Sequence, residues 1–210
     1  MKIERTYLNF TLTVSVLVAL YLTSQNWKNQ LVLDDVKVYN ASLLTDSEVK
    51  TLADVQKGSS LYALSLTQIS HRIEENPFVK KAVVVRALPY DLTVTVNERD
   101  PLALLATSSA MYSVDPDGVV LPLPLERKSN VPVITNVQSS LRVGDTVKGS
   151  LMQAVKFISG AGKMGPALSA SIAEIRLEGD NLIAYTTASA LPVIIGKGDL
   201  ERKLVYLRNF

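Results

Sequence analysis

The stretch ISHRIEENPFVKKAVVVRALPYDLTVTVNERDPL, residues 69–102, decides the fold of this chain. Ile69 and Ile73 lie four residues apart, a spacing that predicts one buried face of a helix. Residues 79–87 are rich in β-branched side chains and residues 92–96 alternate between apolar and polar, and both patterns are typical of strands. The proline and the aspartate between the two strands favour a tight turn. The stretch therefore predicts a helix followed by a β-hairpin.

The segment before this stretch adds one strand and one helix. Residues 31–39 alternate valine with charged residues, which predicts a half-buried strand. Thr45 and Glu48 have the spacing of a capping box, and Ser65 begins a second one. The order strand, helix, helix, strand, strand predicts an α+β module over residues 32–100, in which a three-stranded sheet carries both helices on one face.

The region over residues 101–210 predicts a second domain, with a mixed β-sheet and flanking helices. Residues 104–107 and 111–114 are expected to form a hairpin. Ser150 is the predicted cap of a helix that stops at Gly160, where a glycine-rich loop begins.

The last part of the chain predicts two more strands and a final helix. Residues 182–187 and 191–195 have the composition of strands, and Asp199 is the predicted N-cap of the helix. The sequence stops at Phe210, inside the apolar stripe of that helix. We therefore expect the second domain to be incomplete at its C-terminus.

The N-terminal segment predicts a membrane anchor over residues 7–27, which contain no charged residue. An apolar helix of about 20 residues spans the hydrocarbon layer of a bilayer. Lys2 and Arg5 precede the segment, so residues 1–6 are expected to form a short cytoplasmic tail, with the bulk of the chain outside. A cleaved signal peptide is the alternative, but the apolar stretch is longer than usual and lacks a small-residue cleavage site.

Composition and charge argue against several functions. The 22 basic and 20 acidic residues leave a formal net charge of +2, without the basic, aromatic-interleaved runs of nucleic-acid-binding proteins. The chain has no cysteine and one histidine, His71, which lies away from the apolar face of its helix. A lone imidazole supplies neither a catalytic triad nor a set of metal ligands. We expect no enzyme activity, cofactor, metal, nucleic acid or small-molecule substrate.

The order of these motifs resembles the POTRA module of the FtsQ/DivIB family of bacterial cell-division proteins. The residues that carry the resemblance follow the membrane segment with the family's spacing: Asn40, Leu44, Thr45, Glu48, Val49, Gly58, Leu61, Pro77, Val79, Ala82, Val84, Arg86, Pro89, Leu92, Val94, Val96, Glu98, Arg99 and Pro101. The resemblance continues into the second domain, through the turn at residues 115–118 and the glycine-containing turn before the last helix.

The resemblance implies a non-enzymatic, bitopic membrane scaffold of the divisome, the assembly that divides the bacterial cell. Such a scaffold links early and late division proteins at the septum of the inner membrane, with its bulk in the periplasm or extracytoplasmic space. Its expected partners are FtsB, FtsL and other divisome components. In the family a further strand follows the last helix, and FtsB docks there by adding its own strand to the sheet, so we expect part of the partner site to lie beyond the given sequence. The alternative is a membrane-anchored POTRA folding or secretion factor that binds unfolded strands by β-augmentation.

Two segments are candidate partner sites by their position in this arrangement. Val83, Val85 and Arg86 are the candidates for the recruitment surface of the module. The candidates in the second domain lie on the strands expected to receive the partner: Leu182, Ile183, Tyr185, Val193 and Ile195. The alternation that nominates these residues is equally typical of core residues, so only exposed neighbours such as Arg86 would be selective for a partner.

Overall fold

The computed structural model describes residues 10, 12–24, 31–123, 131–138, 140–188, 192–196 and 198–208. The chain divides into two compact units, Met1–Glu98 (unit 1) and Arg99–Phe210 (unit 2). Each unit has its own cluster of buried apolar side chains. The class is α+β, as predicted, with a β-α-α-β-β unit followed by a mixed-sheet domain.

Residues 12–24 form a helix, α1, whose apolar side chains are exposed. The predicted tail, residues 1–6, and both ends of the predicted membrane span, residues 7–27, lie outside the described residues. Among the helices that the structure describes, none combines the length with the apolarity that crossing a bilayer requires.

The elements of unit 1 follow the predicted order. They are β1 (Asp35–Tyr39), α2 (Asp46–Ala53), α3 (Leu66–Glu74), β2 (Val79–Ala87) and β3 (Asp91–Glu98). Thr45 and Glu48 cap α2 reciprocally, and the hydroxyl of Ser65 accepts a hydrogen bond from the amide of Gln68 at the start of α3. β1 is shorter than predicted, because Val32 forms only an isolated bridge.

The three strands of unit 1 form a mixed sheet in the order β1-β3-β2, with β1 parallel and β2 antiparallel to β3. Alternate side chains of the strands point towards the two helices, as the period of a strand requires. The resulting core includes Val36, Val49, Ala53, Ile69, Ile73, Ala82, Val84, Leu92, Val94 and Val96. Both helices therefore cover one face of the sheet, and the other face is open.

Unit 2 is built from strands and helices in a more complex order. They are β4 (Ala103–Thr107), β5 (Met111–Val114), β6 (Val120–Leu121), β7 (Val133–Val137), α4 (Gly149–Met164), α5 (Pro166–Ser171), β8 (Ile172–Glu178), β9 (Asn181–Thr186), β10 (Pro192–Ile194) and α6 (Leu200–Arg208). The predicted β4-β5 hairpin is confirmed, and Asp199 accepts a hydrogen bond from the amide of Arg202 as the cap of α6. Leu191, the predicted start of a strand, and Phe210, the predicted last residue of the apolar stripe of the final helix, lie outside the described residues.

The sheet of unit 2 has the order β10-β9-β8-β7-β4-β5-β6, in which β7 is parallel to both β4 and β8. The connection from β7 to β8 runs through α4 and α5, because parallel neighbours need a crossover. Phe157 and Ile158 of α4 are fully buried against Ile134, Ile175 and Leu182 in the same core cluster. The buried faces of the helices and of the sheet thus form a single core.

The helix α4 differs from the sequence prediction at both ends. It begins at Gly149, so Ser150 falls inside the first turn and provides no cap. It continues through Gly160 to Met164, and the predicted glycine-rich loop over residues 159–166 is therefore wrong.

Gly160 has a packing role inside this helix. A Cβ atom built there would lie 2.7 Å from Cδ1 of Leu204, so the glycine allows α6 to approach α4. Glycine in a helix interior costs about 0.5–1 kcal/mol relative to alanine. The contact between the two helices offsets that cost, which a pattern confined to α4 cannot reveal.

Candidate partner-binding surfaces

β10 is an edge strand of the seven-stranded sheet. It pairs antiparallel with β9, and no strand among the described residues covers its outer side. Ile194 is 77% exposed there, more than any other large apolar side chain that the structure describes. Unpaired backbone groups beside an exposed apolar side chain form the type of edge to which an extended partner segment binds.

The backbone groups of Pro192 and Ile194 in β10 point away from β9, and no described residue is bonded to them. The amide of Ile195 donates to the carbonyl of Leu182, so these two residues belong to a bonded pair of the ladder. Bonded and non-bonded pairs alternate in an antiparallel ladder, so the groups of Ile194, opposite Ile183, point away from β9. Pro192 takes the other outward position, where its missing amide proton costs no ladder bond. The edge therefore offers one donor and two acceptors.

A connected polar cluster lies on the face of this sheet opposite the helices. The guanidinium of Arg176 lies 5.0 Å from the ring centroid of Tyr185, and its Nε is 3.4 Å from Oε1 of Glu174. The hydroxyl of Thr135 donates to the same carboxylate oxygen over 2.6 Å. These contacts fix the orientation of the arginine and the tyrosine, since a cation is attracted to an aromatic face.

The five residues predicted as the partner site of unit 2 fall on two faces of the sheet. Leu182 and Ile195 are buried, and Val193 packs against the same core. Ile183 and Tyr185 are half-buried on the open face. Sequence reasoning missed the outward residues of β10, which the alternation around Val193 could have identified.

The open face of the sheet in unit 1 presents two rows of side chains that cross all three strands. One row is Tyr39, Thr95 and Val83, and the other is Lys37, Thr93 and Val85. Val83 and Val85 are each 48% exposed, and Tyr39 is 52% exposed. The two valines are therefore surface residues, because Ala82 and Val84 take the core positions of β2. Tyr39 was not predicted, although its alternation with Val38 indicates this face.

Arg86 is not the exposed residue that the sequence suggested. It shares a side of β2 with the core residues, since residues 82, 84 and 86 are separated by the strand period. Its Nε donates to the carbonyl of Leu61 over 2.9 Å, and its Nη2 donates to the carbonyl of Leu64 over 2.8 Å. The guanidinium also lies 5.3 Å from the ring centroid of Tyr62. A role of Arg86 in partner binding stays a prediction.

Glu98, the last residue of β3, holds the loop before α2. Its carboxylate accepts four hydrogen bonds of 2.8 Å, from the amides of Ser42, Leu43 and Leu44 and from the Ser42 hydroxyl. Burial raises the pKa of Glu98, but these hydrogen bonds outweigh it, so the pKa lies below its ordinary value. The ionised carboxylate therefore stabilises the loop.

Arg99, the first residue of unit 2, pairs with carboxylates of its own unit and not with the neighbouring Glu98. Its Nη1 lies 2.6 Å from Oδ2 of Asp115, which is buried, and 3.7 Å from a carboxylate oxygen of Asp117. The other oxygen of Asp115 accepts hydrogen bonds from the amides of Asp117 and Val119. A buried carboxylate satisfied in this way stabilises its turn, so the arrangement has a structural explanation.

The remaining titratable side chains do not cluster as metal ligands in the part of the chain that the structure describes. The described residues contain no group of three or more His, Cys, Asp or Glu side chains that could hold a metal ion. His71 is exposed, and its Nδ1 lies 3.4 Å from Oε1 of Glu75.

The fold and these surfaces define an α+β protein in which a POTRA-type unit precedes a mixed-sheet domain with an open edge.

Comparison with known sequences assigns both units. Residues 32–99 match the family model described as POTRA domain, FtsQ-type. Residues 103–210 match the model described as cell division protein FtsQ/DivIB, C-terminal. The chain belongs to the FtsQ/DivIB family, and its role is in bacterial cell division.

Relatives described as cell division protein FtsQ support the assignment. The chain is 30% identical over 211 residues to that of Salinibacter ruber, covering 95% of this chain and 80% of the relative. It is 30% identical over 176 residues to that of Geotalea daltonii, covering 82% of this chain and 64% of the relative. A solved structure of the major extracytoplasmic domain of DivIB from Geobacillus stearothermophilus is similar with a TM-score of 0.36 at 15% identity, covering 54% of this chain and 89% of that one.

Proposed function

We propose that the chain is a non-enzymatic, bitopic scaffold of the divisome that links early and late division proteins. Residues 7–27 anchor it in the inner membrane, residues 1–6 lie in the cytoplasm, and both units lie outside, at the septum. Unit 2 binds FtsB together with FtsL, and unit 1 carries the surface that recruits the chain to the division site. The mechanism is binding, without a chemical step.

The character of α1 supports the anchor. Most of its large apolar side chains, among them Leu12, Leu17 and Leu20, are more than half exposed. Apolar surface of this extent gains free energy in hydrocarbon, at roughly 25 cal/mol per Å² removed from water. Lys2 and Arg5 lie on the N-terminal side, as the cytoplasmic flank of an anchor requires.

The observation that carries the proposal is the open edge of β10 in a member of a cell-division family. An incoming strand of FtsB can accept a hydrogen bond from the amide of Ile194 and donate to the carbonyls of Ile194 and Pro192. Ile183 lies opposite Ile194 in the register, and both side chains face the polar cluster of the open face. Backbone bonds supply the affinity of such a complex, and the side chains beside the edge supply its selectivity.

The open face of unit 1 supports a separate recruitment function. Tyr39, Val83 and Val85 place exposed apolar surface on three strands, and surface of this kind marks sites of protein contact. Lys37 of the same face pairs with Asp91 over 2.6 Å, which gives the apolar patch a charged border. The two units thus provide two surfaces for different members of one assembly.

Imaging and co-purification in dividing cells of the host test this function. A tagged full-length chain should form a midcell band before constriction and retain FtsB and FtsL on purification. Val83→Ser/Val85→Ser should lose the midcell band and still retain FtsB, because the two surfaces lie on different units. The matched control is His71→Ala, a change at an exposed residue of α3, which should preserve both properties.

Two outcomes would contradict the proposal. A uniform membrane signal without midcell enrichment would argue against a divisome scaffold. Retention of unfolded outer-membrane barrel precursors in place of FtsB and FtsL would support the folding-factor alternative.

A further inference from the structure

The outer edge of β2 differs from an ordinary sheet edge because side chains of α3 bind the backbone amide and carbonyl of Ala82. β2 has nine residues and lies at the end of the order β1-β3-β2, so one of its sides faces away from the sheet. The amide of Ala82 donates to Oε1 of Glu74 over 2.9 Å. The carbonyl of Ala82 accepts a hydrogen bond from the hydroxyl of Ser70.

The register explains why these bonds lie on the outer side. Ala82 is opposite Val96 in an antiparallel pair, and in such a ladder every second residue directs its amide and carbonyl away from its partner. Both groups of Ala82 bond to α3, so Ala82 holds one of the outward positions. Ser70 and Glu74 are four residues apart and therefore project from the same side of their helix.

Two further features of β2, one on each side of Ala82, also make its outer edge less accessible to another strand. Beyond one side of Ala82, the register shifts between Val79 and Lys81, and such an irregularity disturbs the pairing of an edge. Towards the other end, Arg86 binds the loop that precedes α3 through the carbonyls of Leu61 and Leu64. The helix and its loop are therefore fastened to β2 at Ala82 and at Arg86.

We propose that Ser70 and Glu74 close the outer edge of β2 to strand addition, so that an extended partner segment is directed to β10. This inference rests on the proposed function, in which strand addition at β10 holds the partner. A nine-residue edge with four valines would, without such closure, pair with a second copy of the chain, because exposed edges are templates for pairing. Unit 1 would then bind partners through the side chains of its open face, and unit 2 would bind them by strand addition at β10.

The test uses the purified full chain in detergent micelles, with hydrogen exchange resolved at single amides. The variant is Ser70→Ala/Glu74→Ala. The matched control is His71→Ala/Glu75→Ala, with each change one residue further along the chain, at a residue of α3 and at its C-cap, whose side chains pair with each other. We expect exchange at Ala82 to be at least tenfold faster in the variant and unchanged in the control. Glu74→Gln keeps an acceptor oxygen and should largely retain the protection.

The amides of Val83 and Val85 report whether the strand remains folded, because they belong to the bonded pairs with β3. Acceleration of exchange at these amides equal to that at Ala82 would mean that the two side chains hold the whole strand, and it would overturn the proposal. Unchanged exchange at Ala82 would overturn it as well.

Self-association is the second readout, measured by light scattering over increasing protein concentration. We expect the Ser70→Ala/Glu74→Ala variant to form larger assemblies than the wild type, through pairing of β2 with a second copy. An assembly size equal to that of the wild type would overturn the proposal. No division protein takes part in either measurement, so failure here is distinct from failure of midcell recruitment, which concerns the proposed function.

Discussion

The two edge strands β2 and β10 differ in what binds their outward backbone amides and carbonyls. β2 is long and β-branched, yet its outward amide and carbonyl at Ala82 are occupied by α3. β10 has only three residues, and its outward positions at Pro192 and Ile194 are exposed. The comparison teaches that the neighbouring helix decides whether an edge can receive another chain, because length and β-propensity alone would nominate β2.

The largest expected effect is on the stability of unit 2, from truncating one buried side chain in the core that supports β10. Phe157 is fully buried in α4, and Phe157→Ala should destabilise unit 2 by about 3–5 kcal/mol because it leaves a cavity. Since each unit has its own core, calorimetry of the full chain should show the transition of unit 2 at lower temperature and that of unit 1 unchanged. Tyr206→Ala, at an exposed residue of α6, is the control. A shift of both transitions together would contradict separate cores.

A smaller effect is expected from changing the open edge itself. Ile194→Pro removes the outward amide proton and no ladder bond, so unit 2 should remain folded. Its affinity for FtsB should fall at least about tenfold, or about 1.4 kcal/mol, in a calorimetric titration. Ile194→Thr keeps the amide proton and should bind more tightly than the proline variant. Equal loss in both variants would mean that the side chain, and not strand addition, determines binding.

Lower pH should reduce the stability of unit 1, the unit with the closed edge, because Glu98 stabilises it in the ionised form. The pKa of Glu98 is lowered in the folded state, so its stabilisation is complete above the pKa of the unfolded chain and is lost as pH falls through the native pKa. Glu98→Gln should cost unit 1 about 1–2 kcal/mol at neutral pH, a range that allows for screening of a partly exposed carboxylate. Denaturant unfolding between neutral and acidic pH measures both effects, with Glu75→Gln as the exposed control. An equally steep loss of stability in Glu98→Gln at low pH would exclude Glu98 as its cause.

The smallest effects distinguish two glycines of α4 in the unit with the open edge. Gly162→Ala should stabilise unit 2 by up to about 1 kcal/mol, because no atom lies within 4 Å of the added methyl group and alanine favours the helix. Gly160→Ala should not stabilise it, because the methyl group would meet Leu204 at 2.7 Å. Thermal unfolding of the two variants gives the comparison. An equal gain from both would show that α6 adapts without cost.

The sequence predicted unit 1 well because its signals are local. The capping box at Thr45 and the alternation over residues 92–96 each concern residues within one element, and the structure contains both elements. Local rules failed at α4, where a glycine normally typical of a helix end continues the helix. The reason is the contact of Gly160 with Leu204, which lies 44 positions further along the chain.

The burial of the nominated partner residues was predicted less completely than the fold. The strands nominated in unit 2 are present, but three of the five nominated residues belong to the core and the exposed Ile194 was missed. Alternation identifies two faces of a strand without stating which face the helices cover. In unit 1 the nominated valines are exposed, and their role in partner binding stays a prediction. The hydrogen bonds of Arg86 to the carbonyls of Leu61 and Leu64 depend on a loop distant in sequence.

The sequence by itself determined the α+β class and the order of elements in unit 1, because capping, strand period and turn chemistry are properties of neighbouring residues. Its membership of a cell-division family rests on similarity to known sequences. Only the tertiary structure decided which backbone edges are free. Whether the amide and carbonyl of Ala82 or those of Ile194 meet a partner depends on side chains brought to each edge by folding. For β2 those side chains come from α3, and for β10 the described residues bring none.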